Sequence, residues 1–146
     1  MIRNTAVTVC GPLNVNKLGV TYVHEHLMVK PQLPDEYYIP YTLGDEAGST
    51  EETRSFSAAG GETLVEMTPI NYGRNVKAYQ RIAQATGVHV ICCTGFHKQL
   101  FMPPWFGDKT DGELYDILMN EVMNGLDDTE IHPGVIKLGT SFEEVT

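Results

Sequence analysis

The chain has 146 residues, 42% hydrophobic and 20% charged, with a formal net charge of -9. That is the composition of one globular domain with a real core, and it excludes a disordered or fibrous chain. Nucleic acid and anionic membrane surfaces are held by clustered Lys and Arg, which a balance of 10 basic to 19 acidic residues does not supply, so neither is an expected partner.

The first stretch, Thr5 to Cys10, alternates enough to be a strand and is broken by Gly11-Pro12. Leu13 to Lys17 leads to Gly19, which predicts a short hairpin before the next strand. Thr21 to His26 closes an apolar run and reads as a strand ending His24-Glu25-His26. From Val29 to Gly48 the chain carries Pro31, Pro34 and Pro40 with Asp35-Glu36 and Asp45-Glu46, the pattern of a long irregular connection that shapes a pocket mouth. Ser49 and Glu52 have capping-box spacing and predict a helix to Ala59, stopped by Gly60-Gly61.

Thr63 to Met67 is the next strand, ended by Thr68-Pro69. Asn75 is a good N-cap for a helix that buries Val76, Tyr79, Ile82 and Ala83 and ends at Gly87. Val88 to Cys93 is an almost wholly apolar strand. After a loop from Gly95 to Asp108, Thr110 and Glu113 repeat the capping-box spacing and open a helix with Leu114, Ile117, Leu118 and Val122 on one stripe, before Gly125. Gly134 to Leu138 is the last strand. Strands and helices alternate, and the strands are near-continuously apolar, which is the signature of a parallel sheet covered by helices. Cys10 and the adjacent Cys92-Cys93 form no CxxC and suit buried structural thiols in a reducing compartment. No apolar run approaches the ~18 residues that span a bilayer, and no basic-then-apolar signal pattern opens the chain, so the expected location is cytoplasmic.

In such architectures chemistry sits at the C-terminal ends of the strands. In an extended strand His24 and His26 point to one face and Glu25 to the other, so the two imidazoles converge as a pair of candidate metal ligands. With five histidines in the chain, an i, i+2 pair also arises by chance. Lys137 stands in an apolar strand with the parity of Val135 and Gly139. A buried amine loses its proton more readily, and a neutral amine reacts with carbon dioxide to give a carbamate able to bridge metal ions. The alternative is a lysine that snorkels to the rim.

The strings Gly19 to His26 (GVTYVHEH), Met67 to Asn75 ending Gly-Arg-Asn, Thr86 to Gly95 (TGVHVICCTG) and Gly125 to Thr140 (GLDDTEIHPGVIKLGT) resemble, in order and spacing, the phosphotriesterase-like branch of the amidohydrolase superfamily. The resemblance covers nearly the whole chain. It implies an α/β fold of the (β/α)8 barrel type, with His24 and His26 binding one divalent metal ion and Lys137, as a carbamate formed with carbon dioxide, bridging it to a second. The ions implied are zinc. The implied activity is that of a two-metal hydrolase in which metal-activated hydroxide attacks a small-molecule lactone, including sugar lactones, or a phosphoester.

The family's other ligands, histidines on the fifth and sixth strands and an aspartate on the eighth, have no counterpart here. A (β/α)8 barrel takes ~250 residues, so the sequence predicts roughly its strands 1–4 and helices 1–3. The expectation is a catalytically incomplete fragment of a longer barrel enzyme that requires the remaining half; the alternatives are two halves pairing into a pseudo-symmetric barrel, as in a homodimer, and an exposed apolar face that aggregates. His97 stands where lactonases of the family commonly have tyrosine, and it either touches substrate or faces solvent. Arg74 binds an anionic substrate group or fixes the loop before Asn75. Glu66, inside an apolar strand, is a candidate for hydrogen-bonded support of the metal ligands. His89 and His132 read as structural, and Trp105 packs a loop or lines a pocket.

Overall fold

The computed structural model describes residues 4–31 and 42–140. A hairpin comes first, in which β1 (Thr5–Thr8) pairs antiparallel with β2 (Gly11–Asn14). The strand expected to run on to Cys10 therefore stops two residues early. Gly11 and Pro12, expected as breakers, lie inside β2 opposite Thr8 and Val7. Proline is tolerated there because β2 is an edge strand whose outer side needs no donor.

Four strands then form a parallel sheet in sequence order: β3 (Thr21–Glu25), β4 (Thr63–Glu66), β5 (His89–Gly95) and β6 (Val135–Lys137). Three helices make the crossovers, α1 (Glu46–Ala58), α2 (Val76–Thr86) and α3 (Asp111–Asn124). Parallel neighbours need a long connection, and a helix supplies it while covering the sheet.

The core lies on the helix side of the sheet. Leu64, Val90 and Cys92 meet Val76, Tyr79, Ile82 and Ala83 of α2, with Leu126 and Ile131 beneath them. The stripe expected for α2 is fully buried, and each such aliphatic or aromatic side chain contributes about 1.5–3 kcal/mol. Asn75 caps this helix by accepting from the Ala78 N–H, and Gly87 ends it in the left-handed region.

α1 departs from expectation at its start. Asp45, not Ser49, is the N-cap and accepts from the Gly48 N–H. Ser49 is drawn instead into a tertiary bond, its hydroxyl donating to the Leu27 carbonyl at 2.6 Å. The ends of the preceding connection meet in a bridge between Val29 and Leu43. The part of that connection carrying Pro34, Asp35-Glu36 and Pro40 lies outside the described residues.

α3 opens with the predicted capping box between Thr110 and Glu113. Its expected apolar stripe is only partly covered: Leu114, Ile117 and Leu118 are half-buried, Val122 is exposed, and the buried side chain of the helix is Glu121. The outer face of neighbouring β6 is likewise open, with Ile136 63% exposed and Leu138, just past the strand, 81% exposed. At the other edge of the sheet Val23 is 71% exposed. Trp105 packs its loop, meeting the edge of Phe96 at 6.2 Å between ring centres.

Candidate metal centre

The sheet brings His24, His26 and Lys137 to one end. The His24 and His26 rings lie 5.3 Å apart centre to centre, and Lys137 Nζ is 3.4 Å from His24 Nε2. Lys137 is 8% exposed and sits at the C-terminal end of β6, so it does not snorkel to solvent. Gly95 makes its approach possible: with φ +110 it lets the Lys137 carbonyl come against a backbone where any Cβ would collide. Strand alternation holds for the histidine pair despite an irregularity. Between Tyr22 and Glu25 the pairing of β3 with β4 shifts register, three residues of β3 running against two of β4. Glu25 and His26 both line a cleft of about 510 Å³ beside α1, together with Thr53 and Phe56.

Behind His26 lies a buried carboxylate. Glu66 is 0% exposed and receives three hydrogen bonds: the Leu27 N–H donates to Oε1 at 3.1 Å, the Thr68 N–H to Oε2 at 3.0 Å and the Thr68 hydroxyl to Oε1 at 2.6 Å. Burial pushes its carboxyl up to about 7 against the pull of these donors. Thr68 Oγ1 also stands 2.8 Å from His26 Nδ1. Burial, then the neighbouring His24, Lys137 and His97, lower the His26 ring to about 4, so it is neutral at physiological pH, the form that ligates metals. Thr68 is a residue that sequence reasoning placed at a strand end without assigning it a partner.

His97 joins the same end of the sheet. Its ring stacks on Phe101 at 4.9 Å and tilts against Tyr72 at 4.8 Å, and Tyr72 in turn meets the edge of His26 at 5.8 Å. Its backbone N–H donates to Asn71 Oδ1 at 2.7 Å. Burial, then Lys137, Lys98 and His24, lower this ring to about 4 as well. Among the described residues, its buried Nδ1 has no hydrogen-bond partner.

Arg74 does not reach this cluster, which corrects its weaker expected role toward an anionic substrate. Its side chain is 3% exposed and its guanidinium is taken by protein carboxylates: Nε donates to Asp127 Oδ2 at 3.0 Å, Nη1 to Glu121 Oε2 at 3.1 Å, and Nη2 to Glu121 and Asp127. Thr94 completes the knot by donating to Glu121 at 2.5 Å. Burial lowers the guanidinium pKa, but bonds to Asp127 and Glu121 outweigh it and raise the net value. The loop before Asn75 is thereby tied to α3. Glu121 was missed from the sequence, although it stands seven residues from Leu114 and three from Leu118, inside the apolar stripe, where a lone carboxylate signals a buried partner.

The remaining residues are peripheral. His132 is bonded locally, its Nδ1–H donating to the Val122 carbonyl at 3.0 Å. Cys92 and Cys93 are buried, their thiols pushed up to about 12 by burial, while Cys10 is exposed and so departs from the buried thiol expected. Among the described residues no group of three or more His, Cys, Asp or Glu is placed so that it could hold a metal ion, and no helix is long and apolar enough to cross a membrane.

Comparison with known proteins places this arrangement. The model of the phosphotriesterase family matches residues 4–146. The chain belongs to the phosphotriesterase family. A phosphotriesterase-related protein of Nematostella vectensis is 32% identical over 97% of this chain and 50% of its own length. A phospho-furanose lactonase of Mycoplasmopsis synoviae is 31% identical over 97% of this chain and 45% of its own. The solved structure of an organophosphorus hydrolase from Deinococcus radiodurans superimposes with a TM-score of 0.84 at 31% identity, covering 98% of this chain and 46% of that one. The chain thus spans about half the length of the relatives it matches. Its four parallel strands form part of a barrel of the family's (β/α)8 type, with His24, His26 and Lys137 at the C-terminal end of the sheet.

Proposed function

We propose that the chain is the metal-binding first half of a hydrolase barrel acting on lactones, including sugar lactones, or on phosphoesters. The observation that carries this reading is the convergence of two imidazoles on a buried lysine which, among the described residues, has no carboxylate to pair with. The chemistry of this donor set suits a divalent ion, zinc first, since His26 is held neutral and zinc accepts imidazole nitrogen. When bound, such ions supply Lewis acidity and bring the pKa of water to about 7.

Lys137 takes carbon dioxide in this reading. Its ammonium first gives a proton to solvent; the neutral Nζ then bonds to the carbon as one C=O π bond opens, a second N–H proton leaves to solvent, and the former cation is a carbamate anion whose two oxygens would be available to metal ions. Glu66 supports His26 through Thr68. His97, with a buried nitrogen that has no partner among the described residues, faces the substrate side, where a neutral imidazole can hydrogen-bond a carbonyl or phosphoryl substituent. The names of the relatives, a lactonase and an organophosphorus hydrolase, support both substrate classes.

A second reading is favoured by the sheet edges: the 146-residue chain is catalytically incomplete and works as an assembly half. Val23 on one edge and Ile136 and Leu138 on the other present apolar side chains that further barrel strands and helices would cover. Two copies of the chain would duplicate the histidine pair and the lysine without adding the family's strand-eight aspartate. Light scattering combined with metal analysis and lactone turnover on the 146-residue chain separates the readings. Metal binding without turnover supports the half-barrel, a monodisperse active monomer with two ions refutes it, and absence of metal in any form refutes the hydrolase reading.

A further inference from the structure

The hydrogen-bond directions behind His26 follow from the groups that surround Glu66 and Thr68. Both oxygens of Glu66 already accept backbone N–H groups, from Leu27 and from Thr68. A backbone N–H cannot reverse, so each oxygen accepts on that side, and the ionised carboxylate has no proton of its own to donate. The Thr68 hydroxyl lies 2.6 Å from Oε1, in the range of a charge-assisted O–H donor to a carboxylate. A hydroxyl has one proton. With that proton given to Glu66, Thr68 Oγ1 presents only lone pairs to His26 Nδ1 at 2.8 Å.

We infer that Thr68 is a positioning residue that relays the Glu66 carboxylate to His26 and locks its ring as the Nδ1–H tautomer, leaving the Nε2 lone pair bare for a metal ion. The ring is thereby oriented as well, since it lies T-shaped to Tyr72 at 5.8 Å while Thr68 holds its Nδ1. Direct pairing of a ligating imidazole with a carboxylate is a common way to achieve this. Here a threonine hydroxyl is interposed, because Glu66 turns to the helix side of the sheet toward Tyr79 while His26 turns to the other. The sequence signature is Glu-x-Thr across the end of β4: the backbone and hydroxyl of one residue bind the carboxylate two positions earlier.

This rests on the metal reading for its purpose but not for its test. The chain, labelled with 15N in its histidines and stripped of metal by chelation, is placed at pH 8, and long-range 1H–15N correlations identify which nitrogen of His26 carries the proton. The expected result is a dominant Nδ1–H form; a dominant Nε2–H form overturns the relay without any variant being made. Thr68→Val deletes the hydroxyl while keeping the branched shape, and should move His26 toward the Nε2–H form and weaken zinc binding about 10–100-fold, with Thr68→Ser restoring both. If Thr68→Val weakens zinc binding while His26 keeps its Nδ1–H form, the role is merely structural and the relay is refuted. An Nδ1–H ring in a wild-type chain that binds no zinc upholds the relay and sinks the metal reading instead.

Discussion

Around Arg74 a buried cation is enclosed by the carboxylates of Glu121 and Asp127, whereas around Lys137 a buried amine meets an imidazole and, among the described residues, no carboxylate at all. Both clusters stand near the C-terminal ends of neighbouring strands, with Thr94 of β5 bonded to one and Gly95 packed on the other. The first is electrostatically finished: donors and acceptors match, and nothing exchangeable is called for. The second is unfinished, since desolvating an amine that faces no carboxylate among the described residues leaves a demand for an anion or a metal ion. Buried charge alone therefore does not mark a site; what marks it is buried charge whose partners are missing.

The largest effect expected of any substitution falls on the finished cluster. Arg74→Ala leaves the Glu121 carboxylate buried beside Thr94 without its cation, and breaking a buried pair from one side costs about 3–5 kcal/mol. Urea unfolding of the variant against the parent measures this. A loss within the scatter of surface substitutions would mean that the knot is not closed and that the contrast with Lys137 fails.

Lys137→Ala should do the opposite. It removes a buried amine that faces no carboxylate among the described residues, so fold stability should hold or rise, while metal stoichiometry drops toward zero and bicarbonate fails to restore it. Acetate is expected to rescue binding in part, by standing in for the lost carbamate oxygens. Unchanged metal content would remove the bridging role and reduce Lys137 to a packed lysine.

His24→Asn and His26→Asn come next, each expected to lower zinc affinity by at least ~10–100-fold in a chelator competition, with Glu25→Gln far milder because strand alternation sets Glu25 on the face opposite the paired rings. A ligand role for Glu25 would show that the register shift in β3 re-aims its side chains and that the histidine pair only imitates a site.

Much of this contrast was legible in the sequence, but unevenly. Periodicity and caps are local, so the βα alternation, the buried stripe of α2 and the cap at Thr110 could be read directly. So could the convergence of His24, His26 and Lys137, because strand parity and the C-terminal rule for parallel sheets together aim side chains at one end. What stayed hidden depends on partners far along the chain. Arg74 gave no sign that residues 47 and 53 positions later would occupy it, and Ser49 gave none that Leu27 would draw it away from capping. The hairpin register was hidden too, since Gly11-Pro12 reads as a stop wherever an edge strand cannot be foreseen.

The smallest expected effect concerns pH. The His97 ring titrates near 4 in the folded chain, chiefly because it is partly buried and then because Lys137, Lys98 and His24 lie nearby, while an unfolded histidine titrates near its ordinary 6.5. Between those values the unfolded state binds the proton and the folded state does not, so the contribution of His97 is fully present above about 6.5 and is lost as pH falls toward 4. His26 acts in the same direction over the same window, and Glu66, raised to about 7, acts in the opposite one, so the pH profile of the parent chain alone cannot assign the effect. Comparison with His97→Phe can, since His26 and Glu66 remain in both chains and the phenyl ring keeps the stack on Phe101. In metal-free chains the unfolding midpoint of the parent should fall more steeply than that of the variant between pH 7 and pH 5, by a modest amount because the ring is only half-buried. Parallel profiles would show that the ring already accepts its proton in the folded state, which would place His97 in solvent and remove it from the unfinished cluster.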